Sequence, residues 1–145
     1  MPTSIERPML LAVSLLMLIG CGEAEPCSLS GTVLVDDVPA EGVYLVFDAV
    51  ANSDPRPDSE TTRSGEGGRF TLKVDKPGEW TLTAFWPKVT QKDGDTIEGA
   101  DQFGGSYRDK SRPVSTLTIH RGENEIQPIS LKPPTSANGR NRGRH

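Results

Sequence analysis

The chain has 145 residues, which suits one domain and little more. Charged residues make up 25% and apolar residues 34%, which excludes a protein that crosses the membrane many times, while the patterning of the apolar positions argues against wholesale disorder. Two Cys and two His are too few for a site built from several such ligands, zinc above all, and the formal net charge is -4.

Residues 9–19 (MLLAVSLLMLI) form an apolar run interrupted only by Ser14. A membrane-spanning helix needs roughly 20 such residues, whereas the apolar part of a signal peptide needs about 7–15. The run ends in Leu18-Ile19-Gly20-Cys21, which looks like a bacterial lipobox. The small Gly20 lets a peptidase reach the bond before Cys21, and the Cys21 thiol takes a diacylglycerol. Cleavage frees the Cys21 amine for a further acyl chain such as palmitate, and two or more chains anchor stably where one is marginal. The sequence therefore predicts a lipoprotein signal peptide over 1–20, with Leu18, Ile19 and Gly20 as the recognition residues. Cys21 is the lipidation site, and 21–27 holds the lipidated Cys and a short tether. The expected address is the cell envelope, membrane-anchored and facing the periplasm or exterior. Cys27 is then the one Cys not committed to lipid, so it makes no internal disulfide. It reads as a small, half-buried residue at the start of the domain, the alternative being an intermolecular disulfide or a reactive thiol.

From Ser28 the apolar period is two, the mark of strands with one buried face. Leu29, Gly31, Val33 and Val35 share a face, and Val43, Leu45 and Phe47 form the next set. Residues 50–63 read as a polar loop with a short edge strand near 60–63, and 64–68 as a flexible turn. Phe70, Leu72 and Val74 alternate with polar neighbours before a Pro77-Gly78 turn. Trp80, Leu82, Ala84 and Trp86 follow in phase, which places Trp80 in the core. Asp93-Gly94 is a hairpin signal and predicts a small extra hairpin of 88–91 with 96–98. A short helical turn is expected within 102–109, with Phe103 and Tyr107 packing down. Leu117 and Ile119 point inward, residues 121–124 turn the chain, and Ile126, Ile129 and Leu131 finish the pattern. Pro128 lacks an N–H, so it requires an edge or a bulge there. Residues 133–145 are polar and carry Arg140, Arg142 and Arg144. They read as a disordered basic tail on an acidic domain.

About seven short strands separated by turns, and no convincing helix after the leader, predict an all-β fold: an antiparallel Ig-like sandwich over 28–132. The segments Ser30-Gly31-Thr32-Val33, Gly68-Arg69-Phe70-Thr71-Leu72 and Pro77-Gly78-Glu79-Trp80-Thr81-Leu82-Thr83 together resemble a carboxypeptidase-regulatory-like domain, a transthyretin-like β-sandwich. With the lipobox in front and Tyr107-Arg108-Asp109 before the penultimate strand, the chain looks like the small lipoproteins of this type in planctomycete bacteria. The resemblance implies the fold and is silent on function.

The residues carry no pattern for catalysis, and the sequence reads as not an enzyme. His120 alternates with Leu117 and Ile119 and so faces solvent, and no triad can be assembled around it. Asp93, Asp95, Glu98 and Asp101 crowd one stretch, but their spacing does not match an EF-hand; they read as a solvated acidic loop, with no metal and no cofactor. The expected role is a structural or protein-interaction module of the cell envelope. The alternative is a surface lipoprotein that binds carbohydrate or peptide through Trp86, Tyr107 and the 87–112 insertion. The expected partners are membrane lipid, through acylated Cys21, and an envelope protein or polysaccharide. No nucleic acid is expected, since three Arg without interleaved aromatics are a weak polyanion signal.

Overall fold

The computed structural model describes residues 22–50 and 58–135. Leu18, Ile19, Gly20, Cys21 and the Arg residues of the tail lie outside them. Eleven strands occur among the described residues: β1 (Cys27–Val35), β2 (Val38–Pro39), β3 (Tyr44–Ala49), β4 (Ser59–Arg63), β5 (Arg69–Val74), β6 (Gly78–Phe85), β7 (Pro87–Lys92), β8 (Asp95–Asp101), β9 (Ser115–Ile119), β10 (Gly122–Glu125) and β11 (Ile129–Leu131). They form an all-β sandwich. The number exceeds seven because the β7–β8 hairpin adds two strands and β2 and β10 are short fragments that pair with β1.

β1 is the centre of the first sheet. On one edge β5 runs antiparallel to it, pairing Cys27 with Val74 and Thr32 with Arg69, and β2 continues that edge opposite Leu34 and Val35. On the other edge β10 and β11 run parallel to it. β10 pairs Cys27 with Gly122 through Ser30 with Glu125. β11 pairs Val33 with Ile129 through Val35 with Leu131. The break between them falls at residues 126–128, where Pro128 has no N–H to offer a ladder. Of residues 121–124, expected as a turn, all but Arg121 belong to strand β10. The turn is confined to His120 and Arg121, where the Asn124 side chain accepts from the His120 N–H (2.9 Å) and donates to the His120 carbonyl (2.7 Å).

The second sheet is antiparallel in the order β4-β3-β6-β9. Its inward residues Leu45, Phe47, Trp80, Leu82, Ala84 and Ile119 meet Cys27, Leu29, Val33, Phe70, Val74 and Leu131 of the first sheet in one core. Phe47 and Phe70 touch across the gap, with ring centroids 6.2 Å apart. Each such aliphatic or aromatic side chain contributes about 1.5–3 kcal/mol by leaving water. Cys27 is fully buried rather than half-buried, because it sits mid-sheet with β5 on one side and β10 on the other.

Residues 64–68 are a built corner, not a flexible turn. Ser64 is buried, and its hydroxyl accepts from the Val43 N–H (3.0 Å) and donates to the Ala40 carbonyl (2.7 Å). Gly68 follows at φ +70°, where a Cβ would lie 2.4 Å from the Val33 carbonyl oxygen. Only a residue without Cβ lets this corner dock on β1. Gly31 is the second position of this kind, since a Cβ there would come within 2.9 Å of the Phe70 ring and 2.8 Å of Ile126. Phe70 stands opposite Gly31 in the register and fills the space that a side chain would take.

β7 and β8 pair as a separate two-stranded sheet closed by Asp93 (φ +54°) and Gly94 (φ +88°), the left-handed pair that a two-residue hairpin turn demands. This is the predicted extra hairpin, longer at both ends. The 102–107 stretch makes successive turns, closed by Gly104 N–H to Asp101 (2.9 Å) and Ser106 N–H to Phe103 (3.2 Å), instead of a helical segment.

Substitution at the two glycines separates the two kinds of constraint. Gly31→Ala should lower unfolding free energy by about 1–3 kcal/mol through overpacking against movable side chains. Gly68→Ala should cost more, because the obstacle is backbone and the φ is left-handed. Urea unfolding of both variants checks this order.

Candidate functional site

Both ligand-binding candidates, Trp86 and Tyr107, lie around Phe103 at the end of the sandwich away from Cys27. Phe103 is fully buried. Trp86 packs on it at 5.8 Å and Tyr107 meets it edge-on at 5.1 Å. The indole N–H of Trp86 donates to the Glu41 carbonyl (3.1 Å). The Tyr107 hydroxyl donates to the Lys132 carbonyl (3.2 Å) and accepts from the Lys132 N–H (2.9 Å). Both polar tips are thus engaged with backbone, and both rings remain half-buried.

Asp101 holds this group together. One carboxylate oxygen accepts the backbone N–H of Trp86 (2.9 Å) and of Phe103 (3.0 Å), and the other accepts that of Gly105 (3.0 Å). A single carboxylate therefore ties the end of β6 to the loop after β8. Among the described residues no group of three or more His, Cys, Asp or Glu converges. Glu98, another member of the acidic stretch, accepts from the Tyr44 hydroxyl at 2.8 Å and approaches Arg63 at 3.7 Å. Further along, Asp109 accepts from Ser111 through both its hydroxyl (2.6 Å) and its N–H (2.9 Å), and from Arg112 (3.1 Å). The Ser111 bonds, followed by Arg112, hold its carboxyl below the usual carboxylate range.

The outward face of the second sheet carries a stacked row. Tyr44 and Phe85 are register partners whose rings lie parallel, 4.7 Å apart. Arg63 covers the outer side of Tyr44 at 5.1 Å, and Arg108 covers Phe85 at 4.3 Å. Each such exposed cation–π contact contributes about 0.5–1 kcal/mol. Together with Glu98 the row fastens the hairpin and the following loop onto the sheet. It also leaves neither ring as a free platform for a sugar.

A trough of about 930 Å³ lies on the outward face of the first sheet. Its floor is Ser28 and Ser30 on the central strand. The longer side chains of Thr71 and Lys73 rise on one side, and those of Glu123 and Glu125 on the other. The trough exists because the central strand carries its smallest polar residues where both neighbours carry larger ones. Leu29, Leu72, Asn124 and, from β4, Thr61 and Thr62 complete a lining of hydroxyls, an ammonium, carboxylates and aliphatic carbon, with no aromatic ring.

His120 is exposed at a strand end, as its alternation required. Sequence reasoning missed Asp101, Ser64, the trough and the stacked row. For the row a signal was present: Tyr44 and Phe85 fall out of phase with the core sets of their strands, so both had to stand on the outer face.

No protein-family model matches the chain, and no curated protein matches it. Several solved structures resemble its fold. A 9R-lipoxygenase from Cyanothece PCC8801 is 12% identical with a TM-score of 0.47 over 74% of this chain, which spans only 16% of the lipoxygenase. A Pseudomonas aeruginosa protein named for a suspected carbohydrate-binding role is 12% identical, with a TM-score of 0.37 over 75% of this chain and 89% of that one. The dioxygenase domain of a dioxygenase carbohydrate-binding protein fusion from Streptomyces sp. SirexAA-E is 16% identical, with a TM-score of 0.41 over 78% and 83%. The expectation that the chain is not an enzyme does not stand, because the solved structures that resemble its fold include a lipoxygenase and a dioxygenase. Likeness at this level concerns the fold and assigns no activity.

Asp101→Ala should release the Trp86–Phe103–Tyr107 group and lower stability by about 1.5–3 kcal/mol, the range for hydrogen bonds to a charged acceptor. Asp101→Asn, which keeps one acceptor oxygen, should recover part of that. Tryptophan fluorescence and circular dichroism during urea unfolding measure the loss, and faster proteolysis within 101–109 locates it.

Proposed function

We propose that this chain is a lipid-anchored β-sandwich of the bacterial cell envelope, a structural or interaction module fastened to the membrane through acylated Cys21. The observation that carries this reading is the apolar run ending in Leu18-Ile19-Gly20-Cys21, with the first strand beginning at Cys27. Only residues 22–26 separate the anchor from the fold. Fully extended, they reach less than roughly 20 Å, so the domain stands against the bilayer. The end with Cys27 and the 75–77 turn faces the membrane. The end with the 36–37 turn, the root of the hairpin and the Trp86–Phe103–Tyr107 group faces an envelope protein or polysaccharide. The turn glycines and core residues that resemble a carboxypeptidase-regulatory-like domain fit this reading.

A second reading, binding of carbohydrate or peptide, is favoured by the trough. Serine and threonine hydroxyls beside Lys73, Glu123 and Glu125 offer donors and acceptors to a polyol or an extended backbone.

Cys21→Ser in the native cell tests the main reading. The wild-type protein should sediment with membranes, and its first residue should carry acyl mass in mass spectrometry. The variant should lose that mass and move to the soluble fraction. A wild-type protein with unmodified Cys21 overturns the proposal.

A further inference from the structure

The first and last described strands are neighbours in one sheet and run in the same direction. β1 enters at Cys27 beside Gly122 of β10 and leaves at Val35 beside Leu131 of β11. The chain therefore enters the sandwich at one end and leaves it at the other. Bonds outside the regular ladders extend the seam: the Gly122 N–H donates to the Pro26 carbonyl (3.1 Å), the Ile126 N–H to Ser30 (2.9 Å) and the Asp36 N–H to Leu131 (3.1 Å). On its far edge β1 is held by β5 through six register pairs.

We propose that this seam is a mechanical clamp, and that the domain serves as a load-bearing link between the lipid anchor and whatever engages its C-terminal side. The direction of the load rests on the lipid anchoring proposed above. Tension that draws β1 by its start and β11 by its end slides the two strands along each other. All the hydrogen bonds of the seam then share the load and must fail together. β1 cannot leave by peeling, because it is flanked on both edges and must be drawn out lengthwise between β5 and the β10–β11 edge, carrying Leu29 and Val33 out of the core. Load applied at one end only would open the same seam bond by bond.

Single-molecule force spectroscopy distinguishes the two geometries. In the first, the chain from Cys21 onward, expressed without lipid, is held by the Cys21 thiol and its C terminus; Cys27 is buried and stays unlabelled. In the second, Cys21→Ser with Val38→Cys moves the handle to the exposed Val38, at the same end as Leu131. The first geometry should require a several-fold higher unfolding force at equal loading rate, since forced unfolding is set by the unfolding barrier along the direction pulled. Ile126→Pro, which deletes the bond to Ser30, should lower that force and leave the second geometry little changed. Equal forces in the two geometries of the unsubstituted seam overturn the proposal, whether or not the proline variant folds. Lipidation is read separately by mass on Cys21, so a failed clamp and a failed anchor give different results.

Discussion

β1 has a hydrogen-bonded neighbour on each edge along nearly its whole length. Five other segments meet there: β5 and β2 on one side, β10 and β11 on the other, and the 64–68 corner, which docks on it through Gly68. The side chains of the same strand supply Cys27, Leu29, Val33 and Val35 to the core. Backbone pairing and apolar burial are therefore centred on one strand. Two glycines make that possible. Gly31 leaves room for the Phe70 ring and Ile126, and Gly68 lets a second piece of backbone approach the Val33 carbonyl.

From this arrangement the polarity of the molecule follows. Because the last strands run parallel to the first, entry and exit lie at opposite ends. One end holds a buried Cys27 and short turns. The other holds the Asp101-tied aromatic group and the root of the β7–β8 hairpin. The charged side chains of the hairpin region do structural work there: Asp101 organises backbone N–H groups, and Glu98 joins Tyr44 and Arg63 to the hairpin. A tether of a few residues would turn this polarity into an orientation at the bilayer.

The alternation of apolar and polar residues was enough to find the sheets, because burial of one strand face writes itself directly into a period of two. Trp80 was readable from its phase and the Asp93-Gly94 turn from its turn chemistry, while Phe103 packs down as expected although the helical turn expected to carry it is a series of turns. Parallel pairing of 122–125 with β1 was not readable. Glu123-Asn124-Glu125 has no apolar member, and which strand lies beside which is decided by contacts distant in sequence. The trough was hidden for the same reason, as it is a height difference between three strands that meet only in the fold. Asp101 sat in a run of acids that looks solvated, and its role depends on three N–H groups that converge only after folding. The lipobox proposed at Leu18-Ile19-Gly20-Cys21 is of a different kind: an enzyme that cut there would read an extended chain, so that proposal does not depend on the fold.

If β1 is the strand on which the sandwich depends, its amides must be released only when the whole domain unfolds. Native-state hydrogen exchange measures this residue by residue. The amides of β1 from Leu29 to Val35 that bond to its neighbours should exchange with the free energy of global unfolding. Those of the β7–β8 hairpin, a two-stranded sheet marginal by itself, should exchange through local opening at much lower free energy. β1 amides that exchange as readily as those of the hairpin would contradict the account.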